Sequence, residues 1–315
     1  MKKLLLFLTI LLLLYQSNFA QTKWFKGNTH VHTINSDGDS APDTVARWYR
    51  ENGYHFVVIT DHNLLTNVEG LNSILGATDK FIVLKGEEVT ESFERTPVHT
   101  NGINLSQVVL PQGGGNLAEI YNKQAVAIKK AGGIVQLNHP NGAKTIGLET
   151  LALATEINHF EICCSDQFGG GDAPATEEMW DYALSKGRQV FAIASDDAHS
   201  FKPNSNHPGT AWIMVKAQKL TVEGIMKALE SADFYATTGV QINNYEANQK
   251  ELKIELEGKN SERYRTYFIG KDGAMLKRDN SLTPTYIFQN NELYVRARIV
   301  RADGKMAWTQ PVFRQ

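Results

Sequence analysis

A chain of 315 residues, 42% of them hydrophobic, is long enough for one large domain with a smaller one beside it. Its 32 basic and 34 acidic residues give a formal net charge of −2, so there is no electrostatic footprint for nucleic acid and no basic helix for a membrane surface. The two cysteines, adjacent at Cys163 and Cys164, exclude a disulfide scaffold, and a buried pair of strand thiols is expected.

In chain order, MKKLLLFLTILLLLYQSNFAQ comes first. Lys2 and Lys3 precede an apolar run from Leu4 to Leu14 and a short polar stretch ending at Ala20, the pattern of a secretory signal. The run is too short to span a bilayer comfortably. Residues 1–20 are therefore expected to be removed, leaving an exported chain, periplasmic or extracellular, with no stable membrane insertion. Between residue 24 and about 240, short apolar runs alternate with helical patterns. The runs are FVVIT (56–60), FIVL (81–84), GIVQL (133–137), HFEICC (159–164), QVFAIA (189–194) and AWIMV (211–215), each reading as a strand buried on both faces. The helical patterns are APDTVARWYRENG, with Ser40 and Asp43 at capping spacing, then NLAEIYNKQAVAIKKAGG, ATEEMWDYALSKG and LTVEGIMKALESAD. This alternation implies an α/β sheet or barrel over residues 21–240. Beyond FYATTG the segments ELKIEL, RYRTYFIG, TYIF and ELYVRARIV, with turns at KDG and ADG, read as a small antiparallel β module over residues 241–315.

The chemistry lies where these strands end. FVVIT leads into Asp61 and His62, FIVLKG into Glu87 and Glu88, GIVQLN into His139, and QVFAIAS into Asp196, Asp197 and His199. The first strand leads into His30, His32 and Asp37 in GNTHVHTINSDG. In α/β folds the C-terminal ends of parallel strands face the active site. Nitrogen and oxygen donors of this kind bind zinc, manganese or iron. One H-x-H pair is weak evidence, since two histidines on a strand are more often solvated or hydrogen-bonded. Five exits on one face imply a shared metal site, to which six of the nine histidines can belong: His30, His32, His62, His99, His139 and His199. His55 and His159 are read as structural, and His207, in the polar loop KPNSNHPG, could reach a substrate. Neighbouring strand residues point to opposite faces, so Glu87 and Glu88 cannot both enter the site, and periodicity leaves open which one does.

THVHTINSDG, ITDHN, KGEEVT, VHTNGIN, LNHP and SDDAH together resemble, in order, the motifs of the PHP (polymerase and histidinol phosphatase) family of metal-dependent hydrolases, over about residues 24–240. The resemblance implies a distorted (β/α)7 barrel of the PHP type, followed here by the small antiparallel β module, with two to three divalent ions at its C-terminal face. It implies that His30, His32, Glu88 and Asp197 hold one ion. Glu88, selected over Glu87 by the family's G-x-E spacing from Gly86, would bridge to a second ion held also by His99 and His139. Asp37, His62 and His199 would hold a third. Glu88, Asp197 and His199 are the expected catalytic groups, with Asp61 and Asp196 as supporting contacts or caps. The implied function is hydrolysis of a small phosphomonoester or phosphodiester by a metal-bound hydroxide, with no Ser or Cys nucleophile. Lys144, Arg95 and His207 are the candidate substrate contacts. The end of the α/β region and the β module also resemble the family branch that includes proposed carbamate and ester hydrolases. A third expectation is a metal-loaded binding module without turnover.

Overall fold

The computed structural model describes residues 22–140, 146–164, 173–203, 208–259, 261–289 and 291–314. The expected signal segment, Lys144 and His207 lie outside the described residues. Among the described residues no helix is long and apolar enough to cross a membrane.

The apolar runs become strands. β1 (Lys23–Asn28), β2 (Phe56–Ile59) and β3 (Ile82–Phe93) lie side by side and parallel. β4 (Thr96–Ile103) runs antiparallel to β3 and to β5 (Ile134–Leu137). The parallel direction then resumes through β6 (His159–Cys164) and β7 (Phe191–Ser195). Just past the end of β7 a parallel bridge joins Ala198 to Val31, just past β1. It carries hydrogen bonds from His32 N to Ala198 O and from Asp197 N to His30 O, both 3.0 Å. The seven strands thus curl back on themselves, and their ends meet at one place.

Strand alternation puts β2 between two cores. Phe56 and Val58 point inward with Phe25, Leu84, Ile103, Ile134 and Ile193, where Ile225 and Leu229 of the helix Val222–Glu230 also pack. Val57 and Ile59 point outward onto Val45 and Tyr49 of the helix α1 (Pro42–Glu51). Burial on both faces is what a continuous apolar run in a parallel sheet requires. Gly27 leaves room for this inner layer, since a Cβ there would lie 2.0 Å from the Phe56 ring.

Three local expectations are corrected. The helix α1 has Ala41 at its N-cap with no side-chain cap, and Ser40 instead donates to Asp39, because Pro42 already supplies the fixed φ of a first helical residue. AWIMV forms β8 (Trp212–Ala217), which is antiparallel to both β1 and β9 (Phe234–Thr237) and does not belong to the parallel set. β4, sequence TPVHTNGI, carries too many polar residues to read as a strand, yet Thr100 and Asn101 are fully buried there. Cys163 is buried in β6.

The C-terminal residues are antiparallel throughout. β10 (Ile242–Ala247), β11 (Glu251–Leu256) and β14 (Thr285–Ile287) form a three-stranded sheet. β12 (Tyr264–Ile269), β13 (Met275–Asp279), β15 (Tyr294–Arg301) and β16 (Met306–Thr309) extend the large sheet through pairing of β16 with β9. Arg296 of β15 is fully buried against the helix α2 (Ala173–Ser185). There it binds Asp181 through Nε and Nη2, at 2.8 and 2.6 Å, and Glu177 through Nη2 at 2.9 Å.

Candidate metal centre

The strand exits, with Glu88 and His99 from within the paired β3 and β4, bring nine side chains together. Nε2 of His30 and Nε2 of His32 are 3.1 Å apart, and each lies 3.0 Å from Asp197 Oδ1. Glu88 Oε2 completes this group at 3.4 and 3.3 Å from the same two nitrogens. The other carboxylate oxygen of Glu88 faces a second group, His99 Nδ1 at 3.0 Å and His139 Nε2 at 3.3 Å. Asp37 heads a third, with Oδ2 3.4 Å from Nε2 of both His62 and His199. Besides Glu88, His32 and His62 face more than one group. His32 turns Nδ1 towards Asp37 at 3.5 Å, and His62 turns Nδ1 towards Glu88 at 3.1 Å.

These separations fit metal ions. Donors held about 2.0–2.2 Å from a tetrahedral ion stand roughly 3.3–3.6 Å apart, slightly farther than donors joined by hydrogen bonds. The first group, at 3.0–3.4 Å, is such a polyhedron slightly contracted. Its chemistry fits too, because two imidazoles and two carboxylates leave the enclosed space surrounded by lone pairs.

Depth separates the groups. His30 and His32 are fully buried, whereas the Asp37 side chain is 53% exposed. The first group is therefore enclosed and the third open to solvent, with His62 and His199 partly exposed between them. Burial alone would push the imidazolium pKa of His30 down, but Asp197, Glu161 and Glu88 outweigh it and hold the value well above normal. His32 is raised to about 9, because bonds to Asp197 and Glu88 overcome the same desolvation. Desolvation acts against Glu88 and Asp197 as anions, and the surrounding imidazoles reverse this and keep both carboxyls well below the usual range. Any ion entering must displace protons from these rings.

The local backbone explains how each residue is aimed. His139 and Asp197 follow β5 and β7 with φ of 25° and 50°, left-handed values that bend the chain out of the strand and turn the side chains across the mouth. Gly38 packs against the His32 main chain, where a Cβ would lie 2.7 Å from its carbonyl carbon, and this closes the loop that carries Asp37. Asp61 accepts from Thr33 N at 2.8 Å and Ser36 Oγ at 2.8 Å, so it braces that loop. Asp196 accepts from Tyr49 OH at 2.9 Å and from the main chain of Gly209, Thr210 and Ala211. Glu88 enters the cluster. Glu87 points to the other face of β3 and accepts from Val109 N at 2.8 Å.

The three candidate substrate contacts fare differently. Arg95 is not brought to the cluster. Phe93 pairs with Thr96, so Glu94 and Arg95, at φ of 47° and 68°, form an exposed two-residue hairpin turn. That tip lies roughly 13 Å along the strand from His99. Lys144 and His207 fall outside the described residues. The two histidines read as structural have such roles. His55 Nδ1 accepts from Lys26 N at 3.0 Å, and His159, driven to about 4 by burial, bonds Leu229 O at 3.1 Å.

Several buried polar residues around the cluster escaped sequence reasoning. Asn138 donates to Glu88 Oε1 at 2.8 Å and to Asn101 Oδ1 at 2.9 Å. Glu161 lies 2.7 Å from His30 Nδ1, and Gln136 links it to Asn138. Their signal was present: Gln136 and Glu161 are polar residues inside the apolar runs GIVQL and HFEICC.

No family model matches the chain, and no curated protein matches it. Among solved structures the fold is similar to a two-domain protein from Bacteroides vulgatus that contains a predicted PHP-like metal-dependent phosphoesterase. The two are 16% identical with a TM-score of 0.51, over 92% of this chain and 96% of that one. A candidate metal-dependent phosphoesterase from Bifidobacterium adolescentis (16% identity, TM-score 0.44) matches over 57% of this chain and 90% of its own. An amidohydrolase from Chromobacterium violaceum with bound sulfate (15%, 0.41) matches over 57% and 89%. At such identity the Bacteroides vulgatus likeness establishes a shared fold, and it spans both the α/β region and the C-terminal strands.

Proposed function

We propose that this chain is an exported, metal-dependent phosphoesterase of the PHP type that hydrolyses a small phosphomonoester or phosphodiester. The observation that carries the reading is Glu88, one buried carboxylate whose two oxygens face two separate groups of imidazoles. The curled ring of seven strands, with β4 reversed, is read as the distorted (β/α)7 barrel of that family, and residues 241–315 as a separate small module. The fold likeness to the Bacteroides vulgatus protein supports both the family and the substrate class.

Two to three ions of zinc, manganese or iron would be held by His30, His32, Asp197 and Glu88, by Glu88, His99 and His139, and by Asp37, His62 and His199. When bound, such ions lower the pKa of water and polarise the bond under attack. The chain does the rest. Asn138 fixes the rotation of Glu88, and Asp61 braces the loop that presents Asp37. His199 donates from Nδ1 to the Asp197 carbonyl at 2.9 Å, which turns its Nε2 lone pair towards Asp37. The substrate enters on the exposed side, past Asp37, His62 and His199.

Purified protein loaded with Mn or Zn should turn over an aryl phosphate or aryl phosphodiester faster than an aryl ester. Preference for the aryl ester would move the reading to a carboxylic or carbamate ester hydrolase, and no turnover of any would favour a binding module. Export rests on the Lys-flanked apolar segment. Native protein should have the intact mass of a chain beginning at Gln21, and a mass retaining residues 1–20 would refute cleavage.

A further inference from the structure

Glu161 is buried in the middle of β6. Its Oε1 lies 2.7 Å from His30 Nδ1 and accepts from Gln136 Nε2 at 3.0 Å and from Ser195 Oγ. Its Oε2 accepts from the His139 main-chain N–H at 2.7 Å. We infer that Glu161 is a positioning residue that couples two metal-binding groups, setting the tautomer of His30 through one oxygen and the backbone of His139 through the other. The inference rests on reading the cluster as a metal centre.

The argument is one of donors and acceptors. A carboxylate only accepts, and an amide N–H only donates. With Gln136, Ser195 and His139 already donating, the contact to His30 is favourable when Nδ1 carries the proton. The lone pair then sits on Nε2, which faces Asp197 Oδ1 at 3.0 Å and Glu88 Oε2 at 3.4 Å in the first group. The other oxygen tethers His139 at its left-handed φ of 25°, a conformation that persists only when its surroundings enforce it. His139 belongs to the second group. A single buried carboxylate therefore orients one ligand of each, as a hydrogen-bonded carboxylate does behind many metal-binding histidines.

The isosteric change Glu161→Gln is a sharp probe because an amide has one acceptor oxygen and one NH2. With NH2 in the Oε1 position, it donates to His30 Nδ1 and drives the proton onto Nε2. With NH2 in the Oε2 position, it opposes the His139 N–H and releases the turn. Either way a ligand is lost.

Calorimetric titration of ion-free protein with Mn²⁺ or Zn²⁺, backed by bound-metal analysis, tests this. The variant should bind about 10–100-fold more weakly than wild type while its ion-free thermal midpoint stays close. Equal affinity in the two proteins would overturn the inference and leave the metal centre standing. Failure of wild type to bind either ion would remove the metal centre and the inference with it. Should the variant not fold, ¹⁵N-histidine NMR of Zn-loaded wild type decides: His30 must show Nδ1–H with Nε2 on the ion, and the reverse tautomer overturns the inference.

Discussion

At the scale of the residue, the adjacent glutamates show how a one-residue step along a strand decides chemistry. Glu88 lies among five imidazoles, and Glu87 lies on the far face of β3 against Val109. Glu88→Ala should strip bound metal and lower activity by several orders of magnitude, since paired ions depend on a bridging anion between them. Glu87→Ala should change both far less. Metal analysis and kinetics on the two variants check this, and a metal-poor, inactive Glu87→Ala would reverse the register. Glu87 makes a separate prediction through its titration. Burial raises its pKa to about 7, against the pull of the Val109 hydrogen bond. Unfolded glutamate ionises at about 4.3, so between roughly pH 4.5 and 7 the folded chain keeps a proton that the unfolded chain has lost. Stability then falls as pH rises through that window and levels off above it. Glu87→Gln cannot titrate. Relative to wild type it should gain about 2–3 kcal/mol of unfolding free energy between pH 5 and pH 8. A constant difference across that range, measured by urea denaturation, would contradict the assignment. His99, inside the polar β4, was placed by the family motif alone. Most cluster residues were legible because they follow apolar runs, and parallel strands deliver their C-terminal ends to one face. Glu161 and Gln136 were not, because a polar residue inside such a run looks the same whether it props a ligand or merely tolerates burial. Arg95 lies at the tip of the β3–β4 hairpin, a placement that the sequence did not show because β4 is too polar to read as a strand.

At the scale of the element, the strands that read correctly were those buried on both faces, whose composition leaves no other structure. β4 did not, because both of its buried faces carry polar residues: Asn101 bonds Thr29 and Asn138 on the cluster side, and Thr100 bonds Gln124 of the helix Leu117–Lys130 on the other. β15 read as a strand, but its alternation concealed a second buried face. Val295, Ala297 and Ile299 enter the C-terminal core, while Arg296 on the opposite face meets α2, where Trp180 stacks over its guanidinium at 4.6 Å. Asp181 and Glu177 raise the Arg296 pKa above normal despite its desolvation. Arg296→Ala leaves buried Asp181 without its cation and Glu177 with only the Arg298 contact, and should cost about 3–5 kcal/mol. Arg298→Ala, at a half-buried position with one bond to Glu177, should cost about 1 kcal/mol or less. Chemical denaturation of both variants checks the ordering, and equal losses would mean that Arg296 does not clamp β15 to the helix.

At the scale of the whole molecule, one sheet carries both the site and its support. Its seven curled strands converge on the cluster, and β8 and β9 lead out of the ring to the antiparallel strands of the C-terminal region. That continuity was hidden in the sequence. The change from alternating strand and helix to strands alone marks where the pattern changes, and it carries no information about which strand of one part pairs with which of the other. The site itself was legible at long range because most of its ligands, although spread from His30 to His199, follow the C-terminal ends of parallel strands, with Glu88 and His99 contributed from within the paired β3 and β4. The central claim is that these ligands hold divalent ions around Glu88 for phosphoester hydrolysis. Anomalous diffraction at the zinc, manganese and iron edges, from a crystal soaked in phosphate, tests it most directly. The account predicts two or three ions, two of them flanking Glu88, with phosphate bound on the open side near Asp37. Ions lying elsewhere, or none at the cluster, would contradict it.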